Sequence, residues 1–247
     1  MEHQYNSSGY PENNYLKDLN NEIEILKLLS PYENSVKYYG DYQIIKEKII
    51  VMEKCAEDFE SYLIKRNKSL NEEEIKKIFI ELNKIFEVMN KNNIIHRDLK
   101  LKNFLIKYSN KEKTDFIAKL CDYGIGKFLN DKNYGFSGMK GTLETIAPEI
   151  YLSKTEEYKS SVDIFSLGVI FYQLSHNLKH PYKTNEFENL ILKYNEYYDK
   201  DNYEIIFDNS IKNENFKDLV KKMLKLNPKN RINWEEYFHH PFFNKDS

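Results

Sequence analysis

No stretch limits what this chain can be as tightly as Ile94-Ile95-His96-Arg97-Asp98-Leu99-Lys100-Leu101-Lys102-Asn103. It sets a carboxylate, an ammonium group and a side-chain amide within one short segment. Downstream come Cys121-Asp122-Tyr123-Gly124 and then Gly141-Thr142-Leu143-Glu144-Thr145-Ile146-Ala147-Pro148-Glu149. Asp98 can accept a proton, and Lys100 can reach a group held beside it. Asn103 and Asp122 offer oxygen ligands of the hard kind that small divalent cations prefer. Taken singly, each piece also reads as an ordinary surface loop or, at Gly124, a tight turn.

Taken in order, the three segments resemble the catalytic loop, metal-binding turn and substrate-docking segment of the eukaryotic protein kinase family. The resemblance implies transfer of a phosphoryl group to a protein hydroxyl, with ATP and Mg2+ as cofactors and a protein as substrate. Asp98 would be the base at the acceptor hydroxyl, and Lys100 would meet the transferring phosphoryl. Asn103 and Asp122 would hold the magnesium. Lys100 after Asp98, and Thr142 after Gly141, follow the serine/threonine kinases, where the threonine bonds both the aspartate and the lysine. Met139, Leu143 and Ile146 would line an apolar pocket for the residue after the acceptor. Lys102 would repel arginines of a substrate. Tyr123 replaces the commoner Phe and keeps its aromatic body, so little functional change is expected.

With 247 residues, the chain is long enough for one large domain or two small lobes about a cleft. A net charge of −2 provides no basic field for nucleic acid or a membrane surface. Its two cysteines, Cys55 and Cys121, show no pairing pattern and fit a reducing compartment. No signal-peptide core follows Met1, and no run approaches transmembrane length. A cytoplasmic or nuclear protein is expected.

The fold class expected is α+β, a protein kinase-like bilobal fold. Residues 1–14 read as a flexible arm, 15–54 as a partial small lobe and 55–247 as the large lobe. Leu16, Leu19, Ile23, Leu26 and Leu29 fall at helical spacing. By resemblance this is the mobile helix, and Glu22 matches the glutamate that pairs with a strand lysine to hold the nucleotide phosphates. The residues alone also allow a solvated charge there. Val36-Lys37-Tyr38-Tyr39 with Ile44-Ile45, and then Ile49-Ile50-Val51-Met52, read as two antiparallel strands with a turn near Lys46-Glu47-Lys48. The resemblance then puts Met52 at the back of the nucleotide pocket and the backbone of Glu53 and Cys55 on the adenine edge, with Leu105 packing under the ring. Asp58 either binds a ribose hydroxyl or caps the helix that follows.

Asn71 and Glu74 form a capping-box pattern before a helix running to about Asn90. Ile75, Ile78, Phe79, Leu82, Ile85, Phe86 and Met89 are its apolar stripe. Phe104-Leu105-Ile106 and Ala118-Lys119-Leu120 read as short strands. Cys121 is a small apolar filler or, if exposed, a reactive thiol. Arg97 would receive an activating phosphate, for which Ser137 is the candidate and Tyr134 a weaker one. By resemblance Ser161 to Leu174 would be the buried central helix, with Asp163 bonded to the catalytic-loop backbone. Glu149 and Arg231 would pair inside the large lobe. His239 and His240 lack nearby ligands for a metal.

One part of the family pattern is missing. Gly9 is the only glycine before Gly40, so no G-x-G-x-x-G occurs, and no Val-Ala-Ile-Lys-like strand precedes Glu22. The small lobe is therefore expected to hold one helix and about two strands. This supports a second reading beside the serine/threonine kinase: a catalytically impaired, pseudokinase-like interaction module. A regulatory partner at the shortened small lobe is a further expectation; neither nucleic acid nor membrane is expected as a partner.

Overall fold

The computed structural model describes residues 12–44, 47–129, 141–152, 159–183, 187–200 and 202–244. The first element is helix α1 (Glu12–Leu29), which begins upstream of the periodic apolar residues. Its buried side chains are Ile23, Ile25, Leu26 and Leu29. Leu16, expected in that stripe, is 44 % exposed. It lies nearly two turns before the first buried apolar residue, Ile23, and Ile25 takes a core place that spacing alone did not assign.

Strands β1 (Tyr38–Ile44) and β2 (Glu47–Met52) pair antiparallel, with Tyr42 opposite Ile49 and a bulge at Tyr38/Gly40. Glu47 and Lys48, expected in the turn, belong to β2, while Val36 and Lys37 precede β1. Among the described residues the ribbon has no third strand. Lys48 ties it to α1 by donating to Asn20 Oδ1 at 3.1 Å, and Asp41 lies between Lys48 and Lys27. One face stays bare: Tyr42 is 60 % exposed and Ile49 42 %.

A second sheet joins β3 (Glu57–Asp58), β5 (Phe104–Tyr108) and β6 (Phe116–Leu120), all antiparallel, in the order β3-β5-β6. The intervening strand β4 (Ile94–Ile95) pairs instead with β7 (Lys127–Phe128). Helix α2 (Phe59–Arg66) follows β3, and α3 (Glu72–Lys91) starts at a capping box in which Asn71 and Glu74 satisfy each other's backbone N–H groups. Its expected stripe is buried except Ile78, which lines a surface groove.

Short helix α4 (Pro148–Tyr151) is followed by α5 (Ser161–Ser175), whose residues from Val162 to Ser175 are all buried. Helices α6 (Phe187–Tyr197), α7 (Glu214–Met223) and α8 (Trp234–Phe238) complete the large lobe. Phe171 of α5 meets Phe79 of α3 at 4.2 Å between ring centres and Phe216 of α7 at 6.2 Å. At Gly168 α5 and α7 approach closely: a Cβ there would sit 2.9 Å from Met223 Cβ. The molecule is α+β, with the helical part enclosing α5.

Candidate active site

The loop after β4 is fixed from below. The Asp163 carboxylate, at the start of α5, accepts the N–H of His96 at 2.7 Å and of Arg97 at 2.9 Å. Both donors and acceptor are buried, where backbone groups must find partners. His96 Nε2 lies 3.1 Å from the carbonyl of Cys121, joining this loop to the next. Arg97 takes a left-handed φ of 67°, and its Nε donates to Ile125 O at 2.5 Å.

Above that support three side chains meet. Thr142 Oγ1 donates to Asp98 Oδ1 at 2.6 Å, and Lys100 Nζ reaches Asp98 Oδ2 at 2.6 Å and Thr142 Oγ1 at 3.0 Å. Asn103 Nδ2 donates to the Asp98 carbonyl at 2.8 Å, which leaves its Oδ1 available as a ligand. Gly141 makes the approach of Thr142 feasible. Its φ is +125°, and a Cβ there would lie 2.7 Å from Arg97 O.

The second loop lies against the first, since Cys121 N–H donates to Asn103 O at 3.0 Å. Asp122, the next residue, has a φ of 64°. Left-handed conformations at two non-glycine residues cost energy, and such strain concentrates at functional sites. Glu22 converges on the same turn: a Cβ on Gly124 would lie 3.3 Å from Asp122 Oδ1 and 3.5 Å from Glu22 Oε2. Burial, and secondarily the Asp122 charge, push the Glu22 carboxyl above its ordinary range. Among the described residues no lysine or arginine pairs with it.

Sequence reasoning missed what holds this turn to α1 and to the loop after it. Asn21 Nδ2 donates to Gly126 O at 2.6 Å, and the buried Tyr123 hydroxyl is 3.0 Å from Ser35 Oγ. Tyrosine thus adds a polar link that phenylalanine lacks. The Cys121 thiol is pushed up to about 12, chiefly by burial and then by Asp122, so it stays protonated near neutrality. This favours the filler over the reactive thiol.

Behind the strand–helix junction lies a second feature the sequence did not announce. Met52 ends β2 and is partly exposed, whereas Glu53 is buried and Cys55 half-buried. The Glu53 carboxylate pairs with Lys119 at 3.0 Å, pairs with Lys107, and accepts the Lys37 N–H at 3.2 Å. Lys119 is 1 % exposed and also donates to the carbonyls of Glu33 and Ser35. Burial would raise the Glu53 carboxyl, but the hydrogen bonds from Lys107, Lys119 and Lys37 hold it down at about 2. A charged residue in a short apolar strand was the available signal, and its partner at Glu53 was beyond local pattern.

Asp58 caps α2, its two oxygens taken by the N–H and hydroxyl of Ser61 at 2.9 and 2.8 Å. Leu105 sits opposite Asp58 in β5. Lys102 pairs with Glu60 at 3.1 Å, an exposed contact. Arg231 grips Glu149 with two bonds of 2.7 and 2.9 Å in the lobe interior. His240 contacts Asp218, and no cluster of metal-ligating residues occurs among the described ones. Ser137, Tyr134, Met139 and most of the N-terminal arm lie outside the described residues. No helix is long and apolar enough to cross a membrane among the residues described.

Comparison with known proteins gives this geometry its family. The model of the protein kinase domain matches residues 4–243. The probable serine/threonine-protein kinase nek3 of Dictyostelium discoideum is 32 % identical over 92 % of the chain, and the serine/threonine-protein kinase unc-51 of Caenorhabditis elegans 32 % over 91 %. The serine/threonine-protein kinase cds1 of Schizosaccharomyces pombe is 31 % identical over 90 % of the chain. The chain spans 20 %, 26 % and 47 % of these three relatives. With the family model matched from residue 4 to residue 243, and relatives of this kind along most of its length, the chain belongs to the protein kinase family, on the serine/threonine side.

Proposed function

We propose that this chain is a serine/threonine protein kinase that uses ATP and Mg2+, with Asp98 as the base. The arrangement of Asp98, Lys100 and Thr142 supports this reading. Thr142 and Lys100 fix both carboxylate oxygens, so Asp98 is oriented before a substrate hydroxyl arrives. Lys100 has spare donor capacity for a phosphoryl oxygen. Asn103 and Asp122 suit magnesium, which is bound through one or two protein oxygens together with substrate phosphates. Magnesium held there would neutralise phosphate charge. Met52, the backbone of Glu53 and Cys55, and Leu105 line the proposed adenine side. Asp58, with both oxygens engaged by Ser61, is assigned to the helix cap. The free thiols Cys55 and Cys121 support a reducing compartment such as the cytoplasm.

Two observations favour the second reading, a catalytically impaired interaction module. Glu22 faces Asp122 with no cation from the described residues between them, and among those residues the ribbon beside α1 has two strands. Its exposed Tyr42 and Ile49 support a regulatory partner there. Calorimetry of the whole chain with ATP and magnesium separates the readings. Saturable binding that Asp122→Asn abolishes supports the kinase. A folded chain that binds no nucleotide supports the interaction module.

A further inference from the structure

A groove of about 470 Å³ lies away from Asp98, between α2, α3, the β5–β6 hairpin and the loop after α1. Its floor is apolar, with Leu70, Ile78, Phe116 and Ala118. Four carboxylates, Glu33, Glu74, Glu81 and Asp115, line it against two cations, Arg66 and Lys77. Arg66 is held by Glu74 through bonds of 2.7 and 3.0 Å, so its charge is already answered. Glu81 also pairs with the exposed Lys84, so the remaining rim, Glu33, Glu81 and Asp115 against Lys77 and Lys84, carries one net negative charge.

The wall formed by β6 is unfinished. Ser109 N–H donates to Asp115 O and Cys121 N–H to Asn103 O, which fixes the phase of the β5–β6 ladder. Phe116, Ala118 and Leu120 therefore turn their backbone groups to the other edge. Leu120 is satisfied there: it donates to Asn34 O and accepts from Val36 N–H, in a parallel bridge centred on Ser35. Asn34 Nδ2 donates to Ala118 O at 3.1 Å, and Phe116 N–H donates to Asp115 Oδ1. The Ala118 N–H and Phe116 C=O remain without partners among the described residues. One residue of a strand parallel to β6 satisfies both, accepting from Ala118 and donating to Phe116.

We propose that this groove docks an extended segment of a separate polypeptide, apolar at alternate positions and carrying basic residues. It would add to the β6 edge beyond Asn34, a mode in which main-chain bonds give affinity and alternate side chains give selectivity. Apolar side chains fill the floor over Ile78 and Phe116, and basic ones meet Glu33, Glu81 and Asp115. This goes beyond phosphoryl transfer and holds for either functional reading.

The test is selection of a phage-displayed library of random dodecapeptides on the whole chain, with Glu33→Lys/Glu81→Lys and Ile78→Arg chains as counter-targets. Thermal melting confirms that each variant is folded. The expected result is a consensus pairing basic residues with alternating apolar ones. Its synthetic peptide should bind at least tenfold more weakly to either variant and slow hydrogen exchange at the Ala118 amide. An acidic consensus, no consensus, equal binding to the variants or unchanged Ala118 exchange would overturn the proposal. Self-association that Glu33→Lys/Glu81→Lys abolishes would overturn it too, in favour of a second copy as occupant.

Discussion

At Glu53 the chain puts a carboxylate out of reach of water and then surrounds it with donors. Taking a charge inside costs several kcal/mol unless it is paired and hydrogen-bonded, and Lys119, Lys107 and the Lys37 N–H meet that condition together. Lys119 also bonds the carbonyls of Glu33 and Ser35, so one amine links β6, the loop after α1 and the residue following β2. Removing one side of such a pair is costly. Lys119→Met is expected to destabilise the fold by about 3 kcal/mol in denaturant melts. The pH dependence has a definite sign. A carboxyl depressed in the folded state stabilises it above the ordinary value of 4.5, and that contribution disappears as the pH falls toward 2. Wild type should therefore lose stability more steeply than Glu53→Gln across that window, and parallel acid curves would contradict the assignment. At this scale the sequence was most legible where roles are local. Asp98, Lys100 and Thr142 meet as the resemblance implied, because the loop carrying two of them is a contiguous run. Glu53 was legible only as a backbone position, since its side-chain partner lies far along the chain.

Elements were readable where period and caps agreed. The α3 helix has its capping box at Asn71 and Glu74, and α5 is buried all round, as a helix apolar on nearly every side requires. Replacing Asn71 by Ala should cost about 1 kcal/mol of stability, measured by thermal melting. Reading failed where an element depends on what covers it. Leu16 had the right spacing but lies exposed, and Ile78 faces the groove. The short β3, β4 and β7 strands carry too few residues for any period to show. Gly141 is the element-scale hinge of the site, since any side chain there collides with Arg97 O. Gly141→Ala is expected to displace Thr142 and lower kcat roughly 100-fold, the cost of a misplacement of about 1 Å. Melting temperature should move far less than kcat, and an unchanged kcat would refute the role given to Gly141.

Across the whole molecule, the loop that presents Asp98 is held by α5 through Asp163, and α5 in turn is locked by the packing of α3 and α7. Glu149 and Arg231 close this frame, bridging α4 to the region before α8. Arg231→Met would leave Glu149 buried without its counter-charge, and a loss of about 3–5 kcal/mol is expected in equilibrium unfolding. The frame is complete while the ribbon beside α1 is short, and the two halves of the molecule thus argue differently about turnover. Transfer of labelled γ-phosphate from magnesium ATP to serine- and threonine-containing peptides tests the central claim most directly. The measurement uses the whole chain beside Asp98→Asn. The account predicts label on serine or threonine hydroxyls, reduced on the order of 10²–10³-fold in the variant. A folded chain that binds magnesium ATP yet transfers no more label than Asp98→Asn would contradict it.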